Sequence, residues 1–427
     1  MLTTTSMKNC QKAFLIGVYK TTNEKEMSEY LLEELRNLCT TYGIEVIEKS
    51  LSPLKRIDSR NLLGIGKLRE LLMKIDLLKG DLVVFDEELV PHQQRNLENF
   101  FRRPVIDRRE LIIEIFAQRA HTKEAKLQVE LAKIRYQLPR LKRLWTHLSR
   151  QTGGKAPLRG VGELQIELDR RSMRKKIVLL KREIEEIEKR RHLQRSQRIK
   201  RKIPTFAIVG YTNAGKSTLL NALTQAGVLV EDKLFATLDT TTRKYLLPNR
   251  REILLIDTVG FIHKIPHSLI AAFKGTLEEI VYTDVILHLI DASNPMAAFQ
   301  AQTGIEILHN MHVTLQPIIT LLNKIDLCPE SPLLPRLRAQ YPKTVLISAQ
   351  TGEGLEQLLE FMMEETGKFR TIFHLQIPQS HYSLVSELLQ QGSVRKCEYE
   401  ENDILLEVEL PKDMEYKVQS FIIKTKY

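Results

Sequence analysis

Cysteine is scarce in this sequence: four in 427 residues, at Cys10, Cys39, Cys328 and Cys397, with no CxxC pair. That spacing excludes a disulfide framework and a thiolate metal site and makes a reducing compartment the default. Aromatic residues make up only 6% of the chain, with a single Trp. No apolar run approaches the roughly 20 residues a membrane helix requires. The N-terminus lacks the apolar core of a signal peptide, since Ala13–Val18 is a short run that reads as a strand. An integral membrane segment is not expected; a cytoplasmic protein is. Internal repeats and low-complexity tracts are also missing.

What is present is an ordinary globular composition, 43% hydrophobic, in a length that suits two to four domains. The formal net charge of +11 is unevenly placed. Between Pro139 and Lys202 there are 21 Lys/Arg against 7 Asp/Glu, a local net of +14, and the remainder of the chain nets −3. A polyanionic partner for that one segment follows as an expectation.

Short apolar runs alternate with helical patterns from the start. Phe14–Val18, Ile44–Ile47, Leu82–Phe85 and Val105–Asp107 read as strands, and Met27–Leu38, Lys67–Leu78 and Pro91–Phe101 as helices, with another from Arg108. This alternation predicts a small parallel α/β domain over residues 1–120. The period then changes. Leu127, Leu131, Ile134, Leu138, Leu141, Trp145 and Leu148 recur at steps of three and four, as do Met173, Ile177, Leu180, Ile184 and Ile187. Between them lies the Gly-rich, basic Thr152–Gly162, expected to be a loop. The pattern predicts a basic helical hairpin of coiled-coil type over 121–202, kinked or broken at Pro139, or an ordinary amphipathic pair packed on the domain. Strand-like runs return at Phe206–Val209, Ile253–Ile256, Val285–Ile290, Pro317–Leu322 and Thr344–Ile347, within a domain at 203–367. A β-α-β-β pattern and a final helix near Lys412–Ile423 make a small α+β domain over 368–427.

The chemistry is concentrated in the third domain. Phe206–Val209 runs into Gly210-Tyr211-Thr212-Asn213-Ala214-Gly215-Lys216-Ser217 and then a helical stretch, which is GxxxxGK[ST] between strand and helix. The glycines let backbone N–H groups turn onto phosphates, and the helix N-terminus adds partial positive charge. Lys216 reaches the β/γ-phosphates of a nucleotide, and the Ser217 hydroxyl suits Mg²⁺. Asp257-Thr258-Val259-Gly260 closes a strand, placing a carboxylate where it holds the metal through water and a glycine amide where it meets a γ-phosphate. Asn323-Lys324-Ile325-Asp326 closes another. Its carboxylate accepts from guanine N1 and the 2-amino group, donors that adenine lacks. In Ser348-Ala349-Gln350, the Ala349 amide suits guanine O6. Together they predict a P-loop guanine-nucleotide domain with GTP as substrate.

Phe235-Ala236-Thr237-Leu238-Asp239, running on to Arg243, is the candidate γ-phosphate-sensing loop, in which Thr237, Thr240, Thr241 and Thr242 compete as the Mg²⁺-binding threonine. Phe261 stands where signalling GTPases carry a water-orienting Gln, so slow intrinsic hydrolysis is expected, with the water positioned by another group or a partner. Gly64-Ile-Gly66-Lys67 precedes a helix but lacks most of a Walker motif, and His263 and His267 suit packing or the surface better than catalysis.

The chain resembles the HflX family of translation-associated GTPases over about residues 13–366. The resemblance lies in Arg159-Gly160-Val-Gly162-Glu163-Leu-Gln165-Ile-Glu167-Leu-Asp169-Arg170-Arg171, in Phe235–Arg243, and in the run from Gly260 through Pro266, His267, Ala271, Ala272 and Phe273. It implies Thr237 as the second side-chain Mg²⁺ ligand beside Ser217, and Lys216, Thr237 and Gly260 as the catalytic set. It also implies K⁺ as a further cation through Asn213, and ATP has been linked to the family's N-terminal half. The implied partner is the large ribosomal subunit, its ribosomal RNA contacted by the basic hairpin, with dissociation of stalled or idle ribosomes as the activity and a monomer as the expected state. The alternative is a GTP-switched scaffold whose coiled coil binds a non-ribosomal protein. Val161 and Leu164 replace the family's usual Pro and Thr, and Thr240 its usual Pro, which loosens both loops.

Overall fold

The computed structural model describes residues 12–54, 58–141, 159–201, 203–224, 234–235, 241–264, 279–313, 315–368, 370–391, 393–400, 402–411 and 415–423. Strands β1 (Lys12–Tyr19), β2 (Glu45–Pro53), β3 (Leu82–Phe85) and β4 (Val105–Asp107) form a parallel sheet in the order β2-β1-β3-β4. Helices α1 (Lys25–Tyr42), α2 (Ile65–Leu77), α3 (Pro91–Phe101) and α4 (Arg108–Arg119) connect and follow the strands. β3 is buried along its whole length, the state expected of a parallel strand covered on both faces. Gly64 is simply the N-cap of α2.

Helix α5 (Lys123–Gln137) starts at Thr122, whose hydroxyl accepts from the Ala125 amide, and gives way to a 3-10 turn, Leu138–Arg140, at Pro139. Helix α6 (Arg159–Arg201), 43 residues long, runs back past it, meeting it between Met173 and Arg191. The apolar seam is the expected one: Leu131 and Ile134 meet Leu180 and Ile184, with Leu127, Met173 and Ile177 against them. Glu130 pairs with Lys176 (2.5 Å) and Glu124 with Arg191, so the two helices are antiparallel. The expected loop is shorter than its composition suggests, because Arg159–Gly162 is already helical despite two glycines. Trp145, Leu148 and the rest of 142–158 lie outside the described residues. Arg140 fastens the base of the pair: it donates to Leu89 O (2.6 Å) and Gln94 Oε1 (2.9 Å) and lies 3.7 Å from the centre of the Tyr136 ring.

The second sheet holds β5 (Thr205–Gly210), β6 (Thr241–Leu246), β7 (Glu252–Asp257), β8 (Val285–Asp291), β9 (Ile318–Asn323) and β10 (Thr344–Leu346) in the order β10-β9-β8-β5-β7-β6. All pairs are parallel except β6–β7. Helices α7 (Lys216–Thr224), α8 (Ala297–Asn310), α9 (Leu333–Gln340) and α10 (Leu355–Gly367) belong to this unit. The third sheet is antiparallel, β11 (Arg370–Pro378), β13 (Asp403–Pro411), β12 (Ser393–Tyr399), with α11 (Tyr382–Gln391) packed on it. Of the expected terminal helix over Lys412–Ile423, the described residues form one turn, Glu415–Val418, followed by a 3-10 turn, and 412–414 lie outside them. Among the described residues no helix is long and apolar enough to cross a membrane.

His288 in the centre of β8 is 1% exposed, and its Nδ1 has no hydrogen-bond partner among the described residues. Burial pushes its pKa from 6.5 down to about 4, so the ring is neutral in the fold. The folded value lies below the unfolded one. The stability this residue contributes is therefore intact above pH 6.5 and lost as pH falls toward 4, by up to about 3 kcal/mol. His288→Leu should flatten the fall in melting temperature over that window; an unchanged slope would refute the assignment.

Candidate functional site

The phosphate-binding loop sits where β5 meets α7, at the C-terminal edge of the sheet. Gly215 is required there: its φ is +97°, and a Cβ would lie 2.3 Å from Asn323 Nδ2. Lys216 is buried and folded back on its own loop, donating to Gly210 O (3.2 Å) and Tyr211 O (2.8 Å). Burial pulls its pKa down to about 8 against the opposing pull of Asp257. Ser217 Oγ donates to Asp257 Oδ2 at 2.9 Å, bringing together the two oxygens a hard cation such as Mg²⁺ takes with its waters. The residues present fit that ion. Thr258 is spent on the scaffold, its hydroxyl donating to Ile208 O (2.7 Å).

The DxxG segment closes over this loop. Phe261 N donates to Gly210 O (2.9 Å) and Thr212 N to Phe261 O (2.7 Å). A Cβ on Gly260 would lie 2.8 Å from Thr212 Cγ2 and 3.0 Å from Lys216 Nζ, so only glycine permits this approach. Phe261 is 1% exposed. The residue that replaces the water-orienting Gln is thus turned into the protein interior.

Opposite the phosphates, Asn323 braces two loops. Its Nδ2 donates to Ala214 O (2.8 Å) and its Oδ1 accepts from the Ala349 amide (2.9 Å). That amide, expected to face guanine O6, is therefore already engaged by Asn323. Lys324 takes a left-handed φ of +64° and pairs with Asp291 (2.7 Å), while Asp326 and Gln350 are exposed and Ser348 is buried. Ile325 opens the 3-10 turn that presents Asp326. Asn213 is exposed, with φ +61°. Ala236, Thr237, Leu238 and Asp239 lie outside the described residues. Phe235, expected beside the nucleotide, has its ring 4.5 Å from Phe116 of α4 and 2% exposed; what it offers a nucleotide is backbone only.

A further group of residues, not anticipated from sequence, joins the loop to the first sheet. One hydrophobic core includes Leu35, Leu38, Ile113 and Phe116 together with Tyr211, Phe235, Val259, Phe261 and Ile262. Within it Arg108 is 2% exposed and pairs with Glu34 and with Asp86 (2.8 Å). Lys264 reaches across to Asp86 (3.1 Å) and Glu87 (2.7 Å). The Tyr211 hydroxyl accepts from the His263 amide (2.8 Å) and bonds to Glu34. Burial raises the Glu34 pKa; Arg108 and Lys264 outweigh burial at Asp86 and hold it low. His263 itself packs against Phe299 (5.1 Å between ring centres), and His267 lies outside the described residues. No local sequence signal marks this group, because its members are up to 230 residues apart.

Three family profiles match the chain in order: "GTP-binding GTPase N-terminal" over residues 29–117, "GTP-binding GTPase Middle Region" over 119–198, and "50S ribosome-binding GTPase" over 205–324. A GTPase HflX of Chlamydia pneumoniae is 45% identical over 416 residues, covering 96% of this chain and 88% of the relative. The GTPase HflX of Escherichia coli K12 is 40% identical over 403 residues, covering 94% of each. Among solved structures, a GTP-binding protein of Sulfolobus solfataricus in complex with GDP is 26% identical, covers 84% of this chain and 99% of its own, and superposes with a TM-score of 0.43. A P-loop with a buried lysine, an adjoining serine–aspartate pair and relatives this similar along nearly the whole length lead to one conclusion: the chain belongs to the HflX family of GTPases, and its reaction is hydrolysis of GTP.

Proposed function

We propose that this GTPase is a cytoplasmic factor that binds the large ribosomal subunit in its GTP state, promotes dissociation or recycling of stalled or idle ribosomes, and leaves on hydrolysis. In this reading Lys216 and Gly260 hold the γ-phosphate, and Ser217 and Thr237 ligate Mg²⁺ with Asp257 behind its water shell. Asp326 selects guanine, and Asn213 takes K⁺. The observation that carries the proposal is the shared core. The P-loop and the DxxG segment pack on α1 and α4, and α4 leads directly into the basic helical pair. Movement at the γ-phosphate is therefore felt where RNA would be gripped. The 50S ribosome-binding description of the matched profile agrees with it.

The test is co-sedimentation with purified large subunits. Pelleting with a non-hydrolysable GTP analogue but not with GDP is expected, and pelleting in neither state refutes the proposal. A second reading has its own observation: Leu168, Val178, Leu179 and Leu193 on α6 are about half or more exposed, a surface suited to a protein partner. Salt separates the two. Backbone contact with RNA loses affinity steeply, with a slope of about −0.7 per single-strand phosphate neutralised, while an apolar interface barely responds.

A further inference from the structure

One cavity of the protein has no part in the nucleotide chemistry. It lies at the foot of the helical pair, where α5 breaks at Pro139 and α3 begins, and has a volume of about 230 Å³. Its wall carries three arginines, Arg109, Arg135 and Arg140, against one carboxylate, Glu88. Two of the three cations are answered. Arg109 pairs with Glu88. Arg140 is 6% exposed and bonded to Leu89 O, Gln94 Oε1 and Tyr136 O, with Asp107 behind it at 3.6 Å. Arg135 is half-buried and has neither an ion pair nor a hydrogen bond among the described residues. The seam with α6 runs through Leu131 and Ile134, so packing of the pair does not call for it. A guanidinium set back from water costs free energy unless acceptors or an anion meet it. A lone one in a cavity wall marks a missing partner.

Two further features suit an anion. Val90 and Pro91, the start of α3, form part of the wall and add the partial positive charge of a helix N-terminus. The Tyr136 hydroxyl is committed to Asp107 (3.1 Å) and Glu110 (3.0 Å), which leaves the arginines as the donors of the wall. Size decides the class. Pockets that enclose whole small molecules measure roughly 300–1,000 Å³, so this one takes a single phosphoryl group and is too small for a nucleotide.

We propose that this cavity seats one phosphoryl group, held by Arg135 with Arg109 and the α3 N-terminus beside it. A planar guanidinium meets two phosphate oxygens at once, which an ammonium does not. The group is a phosphodiester of an RNA backbone or a free phosphate; both offer the same pair of oxygens. The seat is separate from the phosphate loop and stands whether or not the ribosome is the partner.

The experiment uses the full-length protein with its nucleotide site filled by Mg²⁺ and a non-hydrolysable GTP analogue, at constant ionic strength. One arm titrates inorganic phosphate by calorimetry, and the other a short single-stranded RNA without terminal phosphates by fluorescence anisotropy. Arg135→Gln is expected to weaken binding by about fivefold or more in at least one arm, and Arg135→Lys to keep part of the affinity. Lys181→Gln, exposed on α6 away from the cavity, should match the parent in both. Loss in the RNA arm assigns the seat to a backbone phosphodiester; loss in the phosphate arm alone assigns it to a free anion. Equal affinity for the GTP analogue shows that a variant is folded, and Arg109→Gln, expected to weaken the same arm, takes the place of an Arg135→Gln that is not. The proposal is overturned if the parent binds neither probe, if Arg135→Gln loses less than about fivefold in both arms, or if Lys181→Gln loses as much as Arg135→Gln.

Discussion

GTP affinity is expected to fall about tenfold between pH 7 and pH 9, with Lys216 as the cause. The lysine is buried against its own loop, and desolvation brings its pKa to about 8 in the nucleotide-free protein. Phosphates restore the charged form, so bound Lys216 titrates well above the free one. Below pH 8 the ammonium is already protonated and binding takes up no proton. Above it each binding event must draw a proton from solvent, and affinity drops by nearly tenfold per pH unit until the pKa of the bound state is reached. Lys216→Arg should bind with a flat profile over the same range, because a guanidinium does not deprotonate. The guanine ring's own ionisation is common to both proteins and cancels in the comparison. Lys216→Ala should lose about 10²–10³ in hydrolysis, the scale of removing one oriented donor from a site of developing charge. Fluorescent-nucleotide titrations across the range decide the matter: parallel slopes for parent and arginine variant would remove Lys216 as the titrating group.

Much of this was readable in the sequence, for identifiable reasons. Pro91–Phe101 and Leu82–Phe85 were legible to the residue because a proline opens the one and a wholly apolar run defines the other. The seam of the helical pair followed from a repeat that admits no other period. Strand β6 was not anticipated. Thr241–Leu246 is polar and mixed, sits at the sheet edge, and needs only one buried neighbour, so its composition reads as loop. Helix at Arg159–Gly162 overrides the local preference of its two glycines, as happens where a long helix is held by packing further along. In the site, the phosphate loop, the DxxG segment, Asn323–Asp326 and Ser348–Gln350 each come after the expected strand, but side-chain duties did not all follow. Phe235, Tyr211 and Phe261 look like nucleotide-loop residues in sequence, yet they spend their rings on the first sheet's helices. That could not be read because Glu34, Asp86, Arg108 and Phe116 carry no mark of their distant partner. Asn323 likewise gives its amide group to bracing Ala214 and Ala349.

Removing Arg108 should cost the protein about 3–5 kcal/mol, the largest effect expected of any single residue outside the nucleotide site. Its guanidinium neutralises two buried carboxylates, Glu34 and Asp86, which lie together inside the core that α1 and α4 share with the phosphate loop. Arg108→Ala leaves Glu34 without its cation and Asp86 with Lys264 alone, a lysine that arrives from the DxxG side of the interface. The penalty is that of an uncompensated buried charge, and it differs in kind from a loss of packing. A neutral set, Arg108→Met with Glu34→Gln and Asp86→Asn, should recover most of the stability that Arg108→Ala loses, because no charge is then left stranded. The consequence extends to the site, since Glu34 also holds the Tyr211 hydroxyl, which in turn receives the His263 amide just past Phe261. Arg108→Ala is therefore expected to loosen the DxxG segment and weaken GTP binding, whereas the neutral set should restore stability more fully than affinity. Thermal unfolding with and without GTP measures both. If Arg108→Ala melts with the parent, the carboxylates are not held as described; if the neutral set melts with Arg108→Ala, the loss comes from packing and the ion network contributes little.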